Sequence, residues 1–350
     1  MTKTYRLGII GTGRPWKAEG ATGFGMSHDH IRGYQKTGRV ELAAIADINP
    51  VVANLFAEEH GAKKIYSNYH EMLANENLDI VSVTVWPHLH AEVVIAAAEA
   101  KVKAIHCEKP MAMTWGDCKQ MVEVCEKNNV QLIINHQRRF LDAFQSAQKL
   151  IKAGLLGKII RMEAYCGDMF DWGTHWLNMM FFFNDEIPAE WVIAQLDYQS
   201  GRSIFGAPCD DQGIVHFKFK NGVRGLLFTG YESEIGCAIR VIGESGILEL
   251  GWDDQPLRVR LDGSVDFKQI KTDGGLHGNN AIDSAMADVV RCLDTGATSI
   301  LSARTALNNT EVIFAAYESS RRHGRVNLPL DVDDSAMLDL IQKGIFSAIK

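Results

Sequence analysis

Four groups of residues have the types and the spacing to do chemistry. Leu7-Gly8-Ile9-Ile10-Gly11-Thr12-Gly13 sets two glycines after an apolar run, where a tight turn lets a helix N-terminus face a pyrophosphate. A plain strand-to-helix turn favours glycine equally well. Asp47 follows a second apolar run. A carboxylate there accepts both hydroxyl hydrogen bonds of an adenosine ribose and repels a 2′-phosphate, which favours NAD over NADP. Its other possible use is to cap the helix beginning at Pro50, a task also open to Asn49. Lys109 precedes Pro110, so its backbone is biased to extended geometry and its side chain is expected to project from a sheet edge. A lone lysine in such a loop is by default solvated. Asp171 and His175 are four residues apart, which on a helix puts a carboxylate and an imidazole on one face. The ordinary alternative is a surface ion pair.

These groups need elements to hold them. Apolar runs at Tyr5 to Ile10, Val40 to Ala46, Lys64 to Tyr66, Asp79 to Val85, Lys103 to Cys107 and Val130 to Asn135 alternate with helical patterns, as in a parallel doubly wound Rossmann sheet. Pro50 suits a first helical turn, and Gly61 a helix stop. Ligands of such a sheet sit at the carboxyl ends of its strands. The position of a third fingerprint glycine is Trp16, and Arg14 to Phe24 reads as an insertion, a candidate flap near the pyrophosphate; Gly25 resumes the role of packing glycine.

After residue 136 the pattern changes. A helix from about Leu141 to Ala153, a strand from Lys158 to Cys166 and an aromatic-rich helix from about Trp172 to Phe183 lead into six further strands between Trp191 and Leu261. Turn residues such as Asn221-Gly222 separate them, as in an antiparallel meander. Helices follow at about Asn280 to Leu293, Thr305 to His323 and Ser335 to Ile349. The expected organisation is a dinucleotide-binding domain over residues 1–136 and an α+β domain with an open, mainly antiparallel sheet over 137–350. The second face of that sheet needs a cover, which suggests a homodimer or homotetramer.

Composition removes other classes. Lys and Arg number 36 against 43 Asp and Glu, a net charge of −7 with scattered basic residues, so no nucleic-acid surface is expected. No apolar run approaches membrane-spanning length, and Met1-Thr2-Lys3-Thr4 passes directly into the first strand, so neither membrane insertion nor secretion is expected. Seven cysteines without a C-x-x-C fit reduced thiols in a cytoplasm. Histidines two apart occur at His28/His30 and His88/His90, but spacing identifies no third ligand, so no metal is expected. His28 reads as structural, and His30 and His90 as cofactor-side or helix-start packing.

Gly11-Thr12-Gly13, Pro87 with His90, Glu108-Lys109-Pro110 and Asp171-Trp172-Gly173-Thr174-His175 together resemble the Gfo/Idh/MocA oxidoreductases. Val241-Ile242-Gly243-Glu244-Ser245-Gly246 and Val326-Asn327-Leu328-Pro329-Leu330 extend the likeness through nearly the whole chain. The resemblance implies a catalytic group of Lys109, Asp171 and His175, with Gly11, Thr12, Gly13, Asp47, Thr84, His90, Glu108 and Lys109 along the cofactor. Trp86 stands where many relatives carry a smaller residue and is an expected cofactor contact.

Taking a hydride from a secondary carbinol requires a base and a cation near its oxygen. His175 is expected to accept the proton, Lys109 to stabilise the alkoxide and Asp171 to position the imidazole. Gln137, Arg138, Tyr165 and Trp172 are expected to frame a sugar or polyol together with that group; Arg138 or Arg139 could equally form a domain-interface salt bridge. Trp176 and Phe181 to Phe183 read as core. The leading expectation is NAD-dependent oxidation or reduction of a sugar, sugar derivative or polyol. An NAD-retaining glycoside-cleaving enzyme and a non-catalytic sugar or dinucleotide sensor are the alternatives.

Overall fold

The computed structural model describes residues 3–231 and 233–346. In it β1 (Tyr5–Ile10), β2 (Val40–Ala46), β3 (Lys64–Tyr66), β4 (Ile80–Val83), β5 (Ala104–Cys107) and β6 (Gln131–Ile134) run parallel in the order β3-β2-β1-β4-β5-β6. The order reverses between β1 and β4, the switch point at which such sheets bind ligands. Leu7, Ile9, Ile45, Val81, Val83 and Ile105 are fully buried. Strands covered on both faces must be apolar almost throughout, and each such side chain contributes roughly 1.5–3 kcal/mol.

Helices α1 (Met26–Lys36), α2 (Pro50–His60), α3 (Tyr69–Asn75), α4 (Pro87–Glu99) and α5 (Trp115–Lys127) connect these strands. Asn49 caps α2: its side-chain oxygen accepts from the Val51 and Val52 amides at 3.1 and 3.3 Å. Pro50 opens the helix and Gly61, at φ 76°, closes it. Asp47 is thereby released from capping.

The chain packs as two compact units. One holds the described residues up to Met113, Asp117–Gln137 and Asn279–Arg304; the other holds Thr114–Gly116, Arg138–Gly278 and the described residues from Thr305 onward. In the first unit the late helix α8 (Asn279–Thr295) lies against α1 because Gly33 permits the approach: a Cβ there would stand 2.6 Å from Met286 Cγ and 3.3 Å from Asp283 Cα. Asp283 accepts from Lys36 at 2.6 Å, and Asp294 from the Tyr5 hydroxyl at 2.8 Å.

In the second unit α6 (Asp142–Lys152), β7 (Ile159–Cys166), α7 (Gly173–Phe183) and β8 (Ala189–Asp197) precede a two-residue hairpin of β9 (Ser203–Ile204) and β10 (Ala207–Pro208). Then follow β11 (Gln212–Phe219), β12 (Arg224–Thr229), β13 (Ile239–Gly243), β14 (Gly246–Leu250), β15 (Leu257–Leu261), β16 (Lys268–Gln269), α9 (Ala303–Arg322), β17 (Val326–Asn327) and α10 (Ala336–Gln342). The sheet order is β16-β15-β14-β13-β7-β12-β11-β8-β17. It is antiparallel except between β7 and β12, which pair in parallel. The simple meander is therefore corrected: β7, first in the chain, is inserted between strands that follow it, a long-range pairing that turn residues do not encode. One sheet face packs under helices, with Phe181 5.0 Å from Phe219 and the Ala194 amide donating to Ser319 at 2.8 Å. Ile160, Ile193 and Ile214 remain exposed. Of the helix expected over Ser335 to Ile349, α10 accounts for seven residues; Ile349 lies outside the described residues, as do Met1 and Thr2.

Candidate active site

In the first unit the glycine turn and Asp47 form one structure. Asp47 Oδ2 accepts from the Thr12 amide at 2.7 Å, the Thr12 hydroxyl at 2.8 Å and the Gly13 amide at 3.4 Å, while Oδ1 accepts from the Asn49 amide at 2.8 Å. Thr84, at the end of β4, donates through its hydroxyl to the Gly11 carbonyl at 2.6 Å. Gly11 has φ 86°, and a Cβ there would lie 2.7 Å from Val85 Cγ1. Gly25 precedes α1 with φ 63°, and a Cβ there would stand 2.3 Å from the Arg14 carbonyl oxygen. The insertion thus returns onto its own start, where Trp16 and Phe24 pack with ring centroids 4.5 Å apart. Ser27, in the first turn of α1, donates to the Thr12 carbonyl. A glycine turn at the switch point, with a half-buried carboxylate at the end of β2, fits a dinucleotide.

Lys109 follows β5 and is half-buried; its amide donates to Glu108 Oε2 at 3.3 Å. Beneath it lies a polar network that sequence reasoning missed. Glu108 Oε1 accepts from Asn135 Nδ2 at 2.6 Å and meets His30 Nε2 at 2.8 Å, while His30 Nδ1 meets the Ser82 hydroxyl at 2.6 Å. An ionised carboxylate only accepts, so His30 Nε2 donates to Glu108. Burial pushes the Glu108 carboxyl up, but hydrogen bonds from His30 and Asn135 outweigh it and hold the pKa at about 2. His106, stacked 4.6 Å from His30, is lowered to about 3 by burial and by that neighbour.

Two residues expected along the cofactor are enclosed. Glu108 is 7% exposed and its oxygens are engaged as described. His90 is fully buried, with Nδ1 2.9 Å from the Pro110 carbonyl and Nε2 3.0 Å from the Val85 carbonyl. Both residues shape the loops after β4 and β5 from inside. Trp86, by contrast, is 41% exposed at the start of α4.

In the second unit Arg138 is 9% exposed and lies over the Trp176 ring at 4.7 Å. Burial pushes its guanidinium down to about 10, against the opposing field of Asp171. Its Nη1 is buried without a hydrogen-bond partner among the described residues, and so is Trp172 Nε1. Gln137 Oε1, in the first unit, shares that condition. Buried polar atoms in folded proteins are rarely unpaired, so each of these asks for a ligand or water. Arg139 instead forms a salt bridge inside its own unit, reaching Glu186 at 2.6 Å and Asn178 Oδ1 at 2.6 Å, not the domain-interface bridge expected for one of the two arginines. Tyr165 is buried on β7.

His175 is 4% exposed in the first turn of α7. The helix-face argument for Asp171 and His175 is corrected, because α7 begins at Gly173 and Asp171 precedes it. Asp168 imposes that start: its Oδ1 accepts from the Asp171 and Trp172 amides at 2.7 and 3.2 Å, and its carbonyl from Gly173 at 2.8 Å. Arg202 donates to Asp168 Oδ2 at 3.1 Å. Asp210 supports the same loop, accepting from the Met169 amide at 2.8 Å and from the Thr229 hydroxyl. Burial raises both carboxyls, Asp210 to about 6. No spacing in the sequence marks either residue; the fold alone assembles them.

Comparison with known proteins agrees with this architecture. Residues 5–136 match the Gfo/Idh/MocA model described as an oxidoreductase family with an NAD-binding Rossmann fold, and residues 161–328 match that family's C-terminal alpha/beta domain. The rhizopine catabolism protein MocA of Rhizobium meliloti is 26% identical over 86% of this chain and 96% of its own length. The myo-inositol 2-dehydrogenase of Thermotoga maritima is 27% identical over 69% of this chain and 73% of its own. An oxidoreductase of Streptococcus pneumoniae is 34% identical, but the match spans 46% of this chain and 39% of that protein. Among solved structures, levoglucosan dehydrogenase in complex with NADH and levoglucosan shares the fold at a TM-score of 0.80, with 20% identity over 93% of this chain and all of that one. With both family models matched in order along one chain, this protein belongs to the Gfo/Idh/MocA family of oxidoreductases.

Proposed function

We propose that the protein is an NAD-dependent dehydrogenase acting on a secondary alcohol of a sugar, sugar derivative or polyol. The observation that carries the reading is the set of buried, unpaired polar atoms on Gln137, Arg138 and Trp172, three of the residues expected to hold a hydroxyl-rich substrate. Relatives named as inositol dehydrogenases support the substrate class.

NAD, when bound, supplies the carbon that takes up or returns hydride. Gly11, Thr12 and Gly13 hold its pyrophosphate, with Thr84, Trp86 and Lys109 farther along it. Asp47 is anchored to the turn by one oxygen and takes the adenosine ribose, which disfavours NADP. His175 accepts the hydroxyl proton of the substrate, Lys109 holds the oxygen as negative charge builds, and Asp171 orients the imidazole. Arg138, Gln137, Tyr165 and Trp172 bind the remaining hydroxyls. The exposed isoleucines of the second unit's sheet support a homodimer or homotetramer formed through that face. Seven buried, unpaired cysteines support a reducing, cytoplasmic setting. Among the described residues no helix is long and apolar enough to cross a membrane.

The test is a panel of polyols and sugars with NAD and NADP in parallel, read at the reduced-nicotinamide absorbance. Turnover with NAD is expected, and His175→Ala and Lys109→Ala are each expected to slow single-turnover hydride transfer by roughly 10²–10⁴-fold. Near-normal transfer in both variants overturns the scheme, and release of sugar without net NADH moves the reading to glycoside cleavage. Asp47→Ala is expected to weaken NAD binding and erode the preference over NADP; an unchanged preference removes the ribose role.

A further inference from the structure

His28 in the first turn of α1 and His60 at the end of α2 meet directly, and both rings pack on Phe56. His28 Nδ1 lies 2.8 Å from His60 Nε2, and the two rings lie 4.8 and 4.5 Å from the Phe56 ring. Glu59 completes the group: its Oε2 is 3.7 Å from His28 Nδ1 and its Oε1 is 3.7 Å from His60 Nε2. One ligand atom from each residue falls within 4.8 Å of the others. Bonds of roughly 2.1 Å in a tetrahedral shell set ligand atoms about 3.4 Å apart, so only a small opening of the histidine pair is needed.

We propose that His28, Glu59 and His60 form a binding site for a transition-metal dication of the zinc type. Two imidazoles and one carboxylate select zinc, cobalt or nickel over magnesium or calcium, which prefer all-oxygen shells. Burial lowers the pKa of both histidines, keeping the neutral form that a metal requires. On binding, the metal replaces the proton shared by Nδ1 and Nε2, and that proton moves to the other nitrogen of its own ring. Three protein ligands leave a fourth position for water. A cleft of about 470 Å³, lined by Gly13, Arg14, His28, Phe56, Glu58 and Glu59, adjoins the group. The bound metal clasps the start of α1 to the end of α2, and α1 in turn carries Ser27, which holds the Thr12 carbonyl. The clasp therefore acts on the dinucleotide turn.

The experiment uses untagged, chelator-treated full-length protein titrated with Co²⁺ and followed by visible absorption, then with Zn²⁺ by calorimetry. One equivalent of Co²⁺ with intense four-coordinate ligand-field bands, displaced by Zn²⁺, is expected. His60→Gln is expected to weaken Zn²⁺ binding by about 100-fold or more, and Glu59→Gln by about 10-fold. Zn²⁺ is expected to raise the thermal midpoint of the wild type and not that of His60→Gln. Only the bands of hydrated Co²⁺ in the wild type, or equal Zn²⁺ affinity in all three proteins, overturns the site. Glu59 is 58% exposed at its side chain, so Glu59→Gln decides the matter if His60→Gln does not fold; unchanged affinity in Glu59→Gln then rejects the three-ligand site.

Discussion

The two units bury charge in opposite ways. In the first, Glu108 is enclosed yet ionised, held at about 2 against the effect of burial by His30 and Asn135. In the second, Asp168 and Asp210 are enclosed and pushed upward, Asp210 to about 6, while the Arg138 guanidinium is pushed down to about 10. The difference lies in partners. Glu108 has its donors already in place, so the base of the loop carrying Lys109 is set before any ligand arrives. Arg138 and Trp172 retain buried polar atoms without partners among the described residues.

The sharpest way to break the contrast is His30→Leu, which leaves the buried Glu108 carboxylate only Asn135 and the Lys109 amide as donors. A loss of about 3–5 kcal/mol is expected by urea unfolding at pH 7. The double variant His30→Leu/Glu108→Leu should recover much of it, since replacing a buried ionic pair by apolar groups is often nearly neutral. No recovery would mean that shape, rather than charge, sets the cost.

Opposite pKa directions predict opposite pH dependence. Glu108 is lowered in the fold, so its contribution is present above about pH 4.5 and is lost as pH falls through about 2. Asp210 is raised from 3.8 to about 6, so its contribution is full below pH 3.8 and declines as pH rises through 6. Asp210→Asn should flatten stability between about pH 4 and 6, removing a slope worth up to about 3 kcal/mol in denaturant titrations. An unaltered slope assigns that titration to another group.

A smaller effect separates the donors of Asp168. Arg202→Met leaves the carboxylate only its backbone donors and is expected to cost about 1–2 kcal/mol at pH 7, a difference that fades at low pH where Asp168 is protonated. A loss of equal size at low pH would show that the arginine acts through packing. Asn49→Ala touches neither buried charge and should cost about 1 kcal/mol with no pH dependence, through the lost cap of α2.

Much of the first unit was legible because its signals are local. The apolar runs place β1, β2 and β3 to the residue, and Pro50 and Gly61 bracket α2. Glu108 and His90 were expected along the cofactor; a motif read along the chain does not say how far a side chain is enclosed, and both are buried. The spacing of Asp171 and His175 suggested one helical face, and Asp168 prevented it by capturing the amides of Asp171 and Trp172. Metal chemistry was sought between histidines two apart, whereas His28 meets His60 from another helix.

Periodicity, glycine turns and helix stops act over a few residues, so the sequence alone determined the alternating strands and helices, the glycine turn with its following acid, and the family likeness. Only tertiary structure decided that β7 pairs in parallel with β12, that α8 packs on α1 through Gly33, and that the Glu108 carboxyl is lowered while that of Asp210 is raised. Pairings between distant segments and the desolvation of a charge depend on what the whole fold brings near, and no local pattern records that.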